Sequence, residues 1–133
     1  DDVAQIYHLL ALLEADAAGE AARGATDEQL ARLQQLHERL EKQVRQRDAF
    51  FATNEQFHMA LLDIAGNRWR TQIVADLRKV MKLNRHHSLF KQGRLSDSLA
   101  EHRALMTAIT SREGAKAARL MREHFASGLE AAA

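Results

Sequence analysis

Residues 53–67 read TNEQFHMALLDIAGN. The fold class turns on this stretch. Phe57, Leu61, Ile64 and Ala65 recur at three- and four-residue intervals, the period of a helix with one apolar side, and Phe50 extends that side upstream. Gly66-Asn67 is a helix stop, because glycine takes the left-handed backbone of a helix C-terminus without a Cβ penalty. Asn54 and His58 stand one turn apart, so they share a face. The spacing predicts a helix over about 48–65 whose apolar side is interrupted by two groups able to ligate a metal.

Downstream, a helix opens near Asn67 with Trp69, Ile73, Leu77, Val80, Met81 and Asn84 in a stripe that fades by Phe90. Residues 91–94, KQGR, read as a loop turning at Gly93. Ser96 is the expected cap of the next helix, which carries Leu99 to Ile109. After a short break at 111–114, a last helix runs into the alanine-rich end. Upstream, Thr26 caps a helix with Asp27 and Glu28 in its first turn and Leu30, Leu33, Leu36, Leu40 and Val44 as its stripe. Its charged residues read as a solvated face. The first helix carries Val3, Ile6, Tyr7, Leu10, Leu13, Ala17 and Ala21 and ends near Gly24. Short links place sequential helices side by side. The fold expected is all-α, an antiparallel bundle of about six helices forming one domain over 1–133.

Composition agrees with this. The 133 residues suffice for one domain with a real core. Proline is absent, as a helical chain prefers. There is no cysteine, so no disulfide scaffold forms and any metal must use His, carboxylate, amide or water. A formal charge of +1 does not mark the whole domain as a nucleic-acid binder. No apolar run reaches the roughly 18 residues of a membrane span, and no signal peptide is visible. A soluble, cytoplasmic protein is expected. The chain begins at Asp1 inside a helical pattern, as a piece of something longer would.

Two further helices repeat the oddity of residues 53–67. His102 sits in the series Leu95, Leu99, Leu105, Met106, Ile109, and His124 sits among Ala117, Leu120, Met121 and Phe125. A lone imidazole on an apolar face is ordinarily a hydrogen-bonded core residue. His8 and His37 read that way or as surface, and the tandem His86-His87 can turn at most one ring toward a site. Burying His58, His102 and His124 separately would need three unrelated hydrogen-bond solutions, whereas one divalent cation satisfies all three. Imidazole suits zinc, nickel, copper and iron, and Asn54 can add an amide oxygen. Zinc or nickel is the expected ion. Glu55, Glu101 and Glu123 adjoin these positions and are expected to face solvent, since neighbours in sequence do not share a helix face. Glu55-x-x-His58 matches the element of di-iron bundles only once, where those need it twice. Phosphate-loop, HExxH, zinc-finger and Ser-His-Asp patterns are absent.

With these residues in hand, the chain resembles the FCD domain, the effector-binding and dimerisation domain of FadR-type GntR-family transcription regulators. The stretches that carry the resemblance are LLEADAAGEAARGAT (12–26), NEQFHMALLDIAGN (54–67), EHRALMTAI (101–109) and GAKAARLMREHF (114–125). It covers essentially the whole chain. It implies a helical bundle holding a divalent metal on Asn54, His58, His102 and His124, with a small organic acid as effector beside it. Six helices are similar to the VanR-like subgroup. The DNA-binding winged helix-turn-helix lies N-terminal to the domain in this family and is not in this chain.

Two positions depart from the family pattern. Asn54 stands where the family has Asp, and Leu10 stands where many members carry an arginine before the glutamate of the Leu13-Glu14 pair. Arg78 or Arg85 is then expected to receive the acid effector. A homodimer is expected as well, because Ile6, Tyr7, Leu10 and Leu13 on the first helix and Trp69, Ile73, Leu77, Val80 and Met81 on the fourth exceed what one bundle face needs. The expected function is an effector-sensing domain of a bacterial regulator rather than an enzyme. The rival is a metal-dependent, hydrolase-like enzyme, since three histidines with open positions also describe catalytic zinc. It lacks an evident carboxylate base. A purely structural bundle is the third possibility.

Overall fold

The structure, a computed structural model, describes residues 1–132. These form seven helices and no strand: α1 (Asp2–Gly24), α2 (Asp27–Lys42), α3 (Arg47–Ala65), α4 (Arg68–Val80), α5 (Lys82–Leu89), α6 (Arg94–Thr110) and α7 (Gly114–Ala132). Most ends follow from local chemistry. Thr26 accepts from the Gln29 amide while the Gln29 side chain accepts from the Thr26 amide, a full capping box at the start of α2. Gly66 closes α3 at φ 90°, and Asn67 caps α4 by accepting from the Arg70 amide.

Two boundaries differ from the sequence expectation. The helix expected to run unbroken from Asn67 toward Phe90 breaks at Met81, whose φ and ψ of −95° and 9° end α4 and start α5. The Met81 side chain is buried in the core at the break. Beyond it, Ser88 Oγ donates to the Gly128 carbonyl at 2.8 Å and ties α5 to α7. The helix count is thus seven among the described residues, and it does not decide the subgroup. In the second case, Ser96 is not a cap. The helix starts earlier, with Gly93 at φ 81° preceding Arg94, so Arg94 belongs to α6 and is buried.

Helix α1 is the centre of the bundle and packs against α3, α4, α6 and α7. Its buried side is built from small residues, Ala15, Ala18, Gly19 and Ala22 among them, which lets neighbouring backbones come close. A Cβ at Gly114 would lie 3.1 Å from the Gly19 carbonyl oxygen, so only glycine fits this approach of α7 without displacement. Phe57, Leu61, Leu62, Leu105, Ile109 and Met121 fill the main core; Leu40, Phe50, Phe51, Leu89 and Leu99 form a second cluster. Of the apolar excess assigned to a partner surface, Tyr7, Leu10 and Met81 instead enter the main core. What stays exposed is chiefly Trp69, Ile73 and Val80 on α4, Leu83 on α5, and Leu9 and Leu12 on α1. No described helix is long and apolar enough to cross a membrane.

Candidate functional site

Helices α3, α6 and α7 each bring one imidazole to a common point. His58 and His102 are 1% exposed and His124 is partly buried. The ring centroids lie 5.2 Å apart for His58–His102, 5.5 Å for His58–His124 and 5.1 Å for His102–His124. One ring nitrogen from each lies within 4.8 Å of the others. Nitrogens sharing an ion at about 2.0–2.1 Å sit roughly 3–4 Å apart, so the observed spacing is within about an ångström of a coordinating set. Asn54 lies one turn before His58 on α3 and lines the same pocket as His58 and His124.

Hydrogen bonding prepares these rings for ligation. His58 Nδ1 is 2.8 Å from Glu14 Oε1. Burial alone would raise the Glu14 carboxyl, but Arg78 and His58 override it and hold it at about 2. An ionised carboxylate only accepts, so Nδ1 carries the His58 proton and Nε2 keeps a free lone pair. Burial, followed by the nearby Arg78, pushes His58 down to about 4, the neutral form a metal requires. Glu101 repeats the arrangement, with its Oε1 2.5 Å from His124 Nδ1 and its two oxygens accepting from Arg94 at 2.9 Å each. Burial raises Glu101, but the bonds from His124 and Arg94 leave it below its ordinary range. A carboxylate on the far nitrogen of a ligating imidazole fixes the tautomer and raises its basicity.

Two residues lack such partners. Asn54 Oδ1 and both ring nitrogens of His102 are buried and make no hydrogen bond. Burial, then His124 and His58, lowers His102 well below the ordinary imidazole value, so it too is neutral. Orphaned buried polar atoms are costly and uncommon. A cation at the centre of the cluster would engage a lone pair of His102, and Asn54 Oδ1 lies on the pocket that adjoins it. The donor set of three imidazoles and one amide oxygen therefore fits a divalent ion of the zinc or nickel type.

The adjoining pocket brings three arginines together: Arg78 from α4, Arg85 from α5 and Arg94 from α6. Arg78 Nε and Nη2 donate to Glu14 at 2.8 and 2.9 Å, and its Nη1 donates to both oxygens of Glu55. Arg85 Nη1 donates to the Arg78 carbonyl at 3.0 Å, and its Nη2 pairs with Glu55. Tyr7 and Ser88 also line the space.

The structure thus brings His58, His102 and His124 together, and Asn54, Arg78 and Arg85 line the pocket that His58 and His124 share. Glu55 and Glu101, expected in solvent, instead turn inward onto arginines and His124, whereas Glu123 is exposed as expected. His8, His86 and His87 are exposed and away from the cluster, and the buried His37 pairs with Glu41 at 3.1 Å. Sequence reasoning missed Glu14, Arg94 and Tyr7. Glu14 left one signal: it is a lone acid in the run Leu10, Glu14, Ala17, Ala18, Ala21, all of which are buried.

The family model of the FCD domain matches residues 5–127. No curated protein matches the chain. Among solved structures, the chain is similar to E. coli McbR/YncC with a TM-score of 0.81 at 20% identity, covering 92% of this chain and 63% of that one. At that identity the likeness speaks for the fold, and the present chain spans less than two thirds of that structure's length. The family match runs from the first turns of α1 to within a few residues of the end of α7, across all four stretches that carried the sequence resemblance, and the chain belongs to the FCD domain family.

Proposed function

We propose that this domain is the effector sensor of a transcription regulator, with a divalent metal on Asn54, His58, His102 and His124 and a small carboxylate in the adjoining pocket. One observation carries the metal assignment: Asn54 Oδ1 and both His102 nitrogens are buried without partners, beside two imidazoles already oriented by Glu14 and Glu101. When bound, the ion supplies positive charge and open positions for an anion. The domain works as a sensor and not as an enzyme. Glu55, the carboxylate in the pocket, is raised by burial but held below its usual range by Arg78 and Arg85, so it is a poor general base. Natively purified protein is expected to carry about one divalent ion per chain by mass spectrometry, zinc or nickel. Protein that stays metal-free after incubation with both ions would overturn the assignment.

DNA binding belongs to a winged-helix domain outside this chain, and the regulator works in the cytoplasm as a homodimer. Helix α4 suits the transmission of a signal because it carries Arg78 on its buried side and Trp69, Ile73 and Val80 exposed on the other. Large exposed apolar side chains at helical spacing are usual at protein interfaces. Pairing of two copies through this face would let a change at Arg78 reach the partner. Light scattering at micromolar concentration is expected to give the mass of a dimer, and Ile73→Asp to shift it toward the monomer. A monomeric mass for the unaltered protein would sink the dimer.

A further inference from the structure

Two of the three clustered imidazoles carry a carboxylate on their far nitrogen, Glu14 on His58 and Glu101 on His124. His102 has none, and both of its ring nitrogens are buried and unpartnered. A neutral imidazole holds one lone pair and one N–H. On the metal reading given above, the ion takes the lone pair and leaves the N–H as it was. That group is then a buried donor without an acceptor, a costly arrangement.

An acceptor of matching kind lies on α2. His37 is buried, its Nε2 is 3.1 Å from Glu41 Oε2, and its Nδ1 has no partner. Arg103 donates to both oxygens of Glu41 at 2.7 and 2.6 Å, and these bonds hold Glu41 below its ordinary range. An ionised carboxylate only accepts, so Nε2 carries the His37 proton, and in the neutral ring Nδ1 is a lone pair. Helix α2 packs on α6, and Arg103, next to His102 in the chain, reaches Glu41, one turn beyond His37. The two buried rings therefore lie at one level of the α2–α6 contact. Their proximity is felt in the charge balance: burial, then the rings of His124, His58 and His37, lowers His102. Each ring leaves unpaired an atom of the kind the other needs.

We propose that His37 is the positioning residue of His102, its Nδ1 accepting the His102 N–H directly or across one bridging water. The series Glu41, His37, His102 then stands in for the carboxylate that the other two imidazoles possess. It fixes which His102 nitrogen faces the ion and raises the basicity of that nitrogen. Its last link is an uncharged ring, so it adds no charge beside the ion, and the charge of Glu41 stays matched by Arg103 farther out.

Zinc titration of the unaltered protein, His37→Leu and His37→Asn tests this. Leucine removes the acceptor and fills the space with apolar atoms, whereas the asparagine carbonyl falls close to where Nδ1 was. His37→Leu is expected to lower zinc affinity by about tenfold or more, as loss of an outer partner does, and His37→Asn by about threefold or less. Metal-free His37→Leu is expected to melt no lower than the unaltered protein, because it removes an unpartnered buried nitrogen. NMR of the zinc-loaded protein, labelled at the histidine nitrogens, gives a readout independent of affinity. The His102 N–H proton is expected downfield, as a hydrogen-bonded donor, and is expected to move upfield in His37→Leu. An unchanged zinc affinity in His37→Leu, an equal loss in His37→Asn, or an unmoved N–H resonance overturns the proposal. Unaltered protein that takes up neither zinc nor nickel overturns the metal reading and this proposal with it, whereas metal uptake indifferent to His37 overturns only the role of His37.

Discussion

His102→Ala is expected to abolish the proposed metal binding, lowering affinity by well over the roughly 10- to 100-fold that loss of an outer hydrogen-bond partner costs a metal site. The imidazole is the only one of the three with no protein partner on either nitrogen. Its ring packs against Phe57, with centroids 4.9 Å apart, so the substitution also opens a small cavity. In metal-free protein that loss is offset by the removal of two unsatisfied buried nitrogens. The stability difference between the unaltered protein and the variant should therefore be small without metal and large with it, since an ion that binds only the folded state stabilises only a competent site. Thermal melts of both proteins with and without zinc measure this directly. Equal destabilisation under both conditions would make His102 a packing residue.

Glu14→Ala is expected to lower stability by about 3–5 kcal/mol, the range for removing one partner of a buried ion pair. Glu14 is 1% exposed and is the carboxylate on which Arg78 and His58 converge from α4 and α3. Its loss leaves the buried Arg78 with Glu55 alone, and burying a poorly paired charge is what makes such substitutions expensive. It also frees the His58 tautomer, so metal affinity should fall by about 10- to 100-fold. Urea unfolding gives the first quantity and metal titration the second. Combining Glu14→Ala with Arg78→Met should recover part of the stability, because an apolar side chain of similar length tolerates the site. A loss below about 1 kcal/mol for Glu14→Ala alone would mean that water already reaches Arg78.

Much of this protein was decided by the sequence through short-range chemistry. The capping box at Thr26, the left-handed stop at Gly66 and the cap at Asn67 depend on atoms a few residues apart, and they marked the helix ends. The histidines were legible for a related reason: helical spacing put His58, His102 and His124 on the apolar sides of three helices, and one cluster accounts for all of them. Other features required the assembled bundle. Glu14 showed only as a lone acid in an apolar run, and its partner Arg78 lies 64 positions away, so the pairing that makes its burial tolerable was not in local sequence. Glu55 and Glu101 looked solvent-facing because each adjoins a site residue and neighbours do not share a face. In a bundle where several helices converge, the next face can also be covered, here by Arg78 and Arg85 against Glu55 and by α7 against Glu101. The break at Met81 is of the same kind. Local sequence favours continuing the helix, whereas in the bundle Met81 is buried at the break and Ser88 bonds the Gly128 carbonyl of α7. Periodicity and capping act within a few residues and can be read from the chain, whereas charge pairing and pocket shape depend on contacts between distant segments and exist only once those segments have packed.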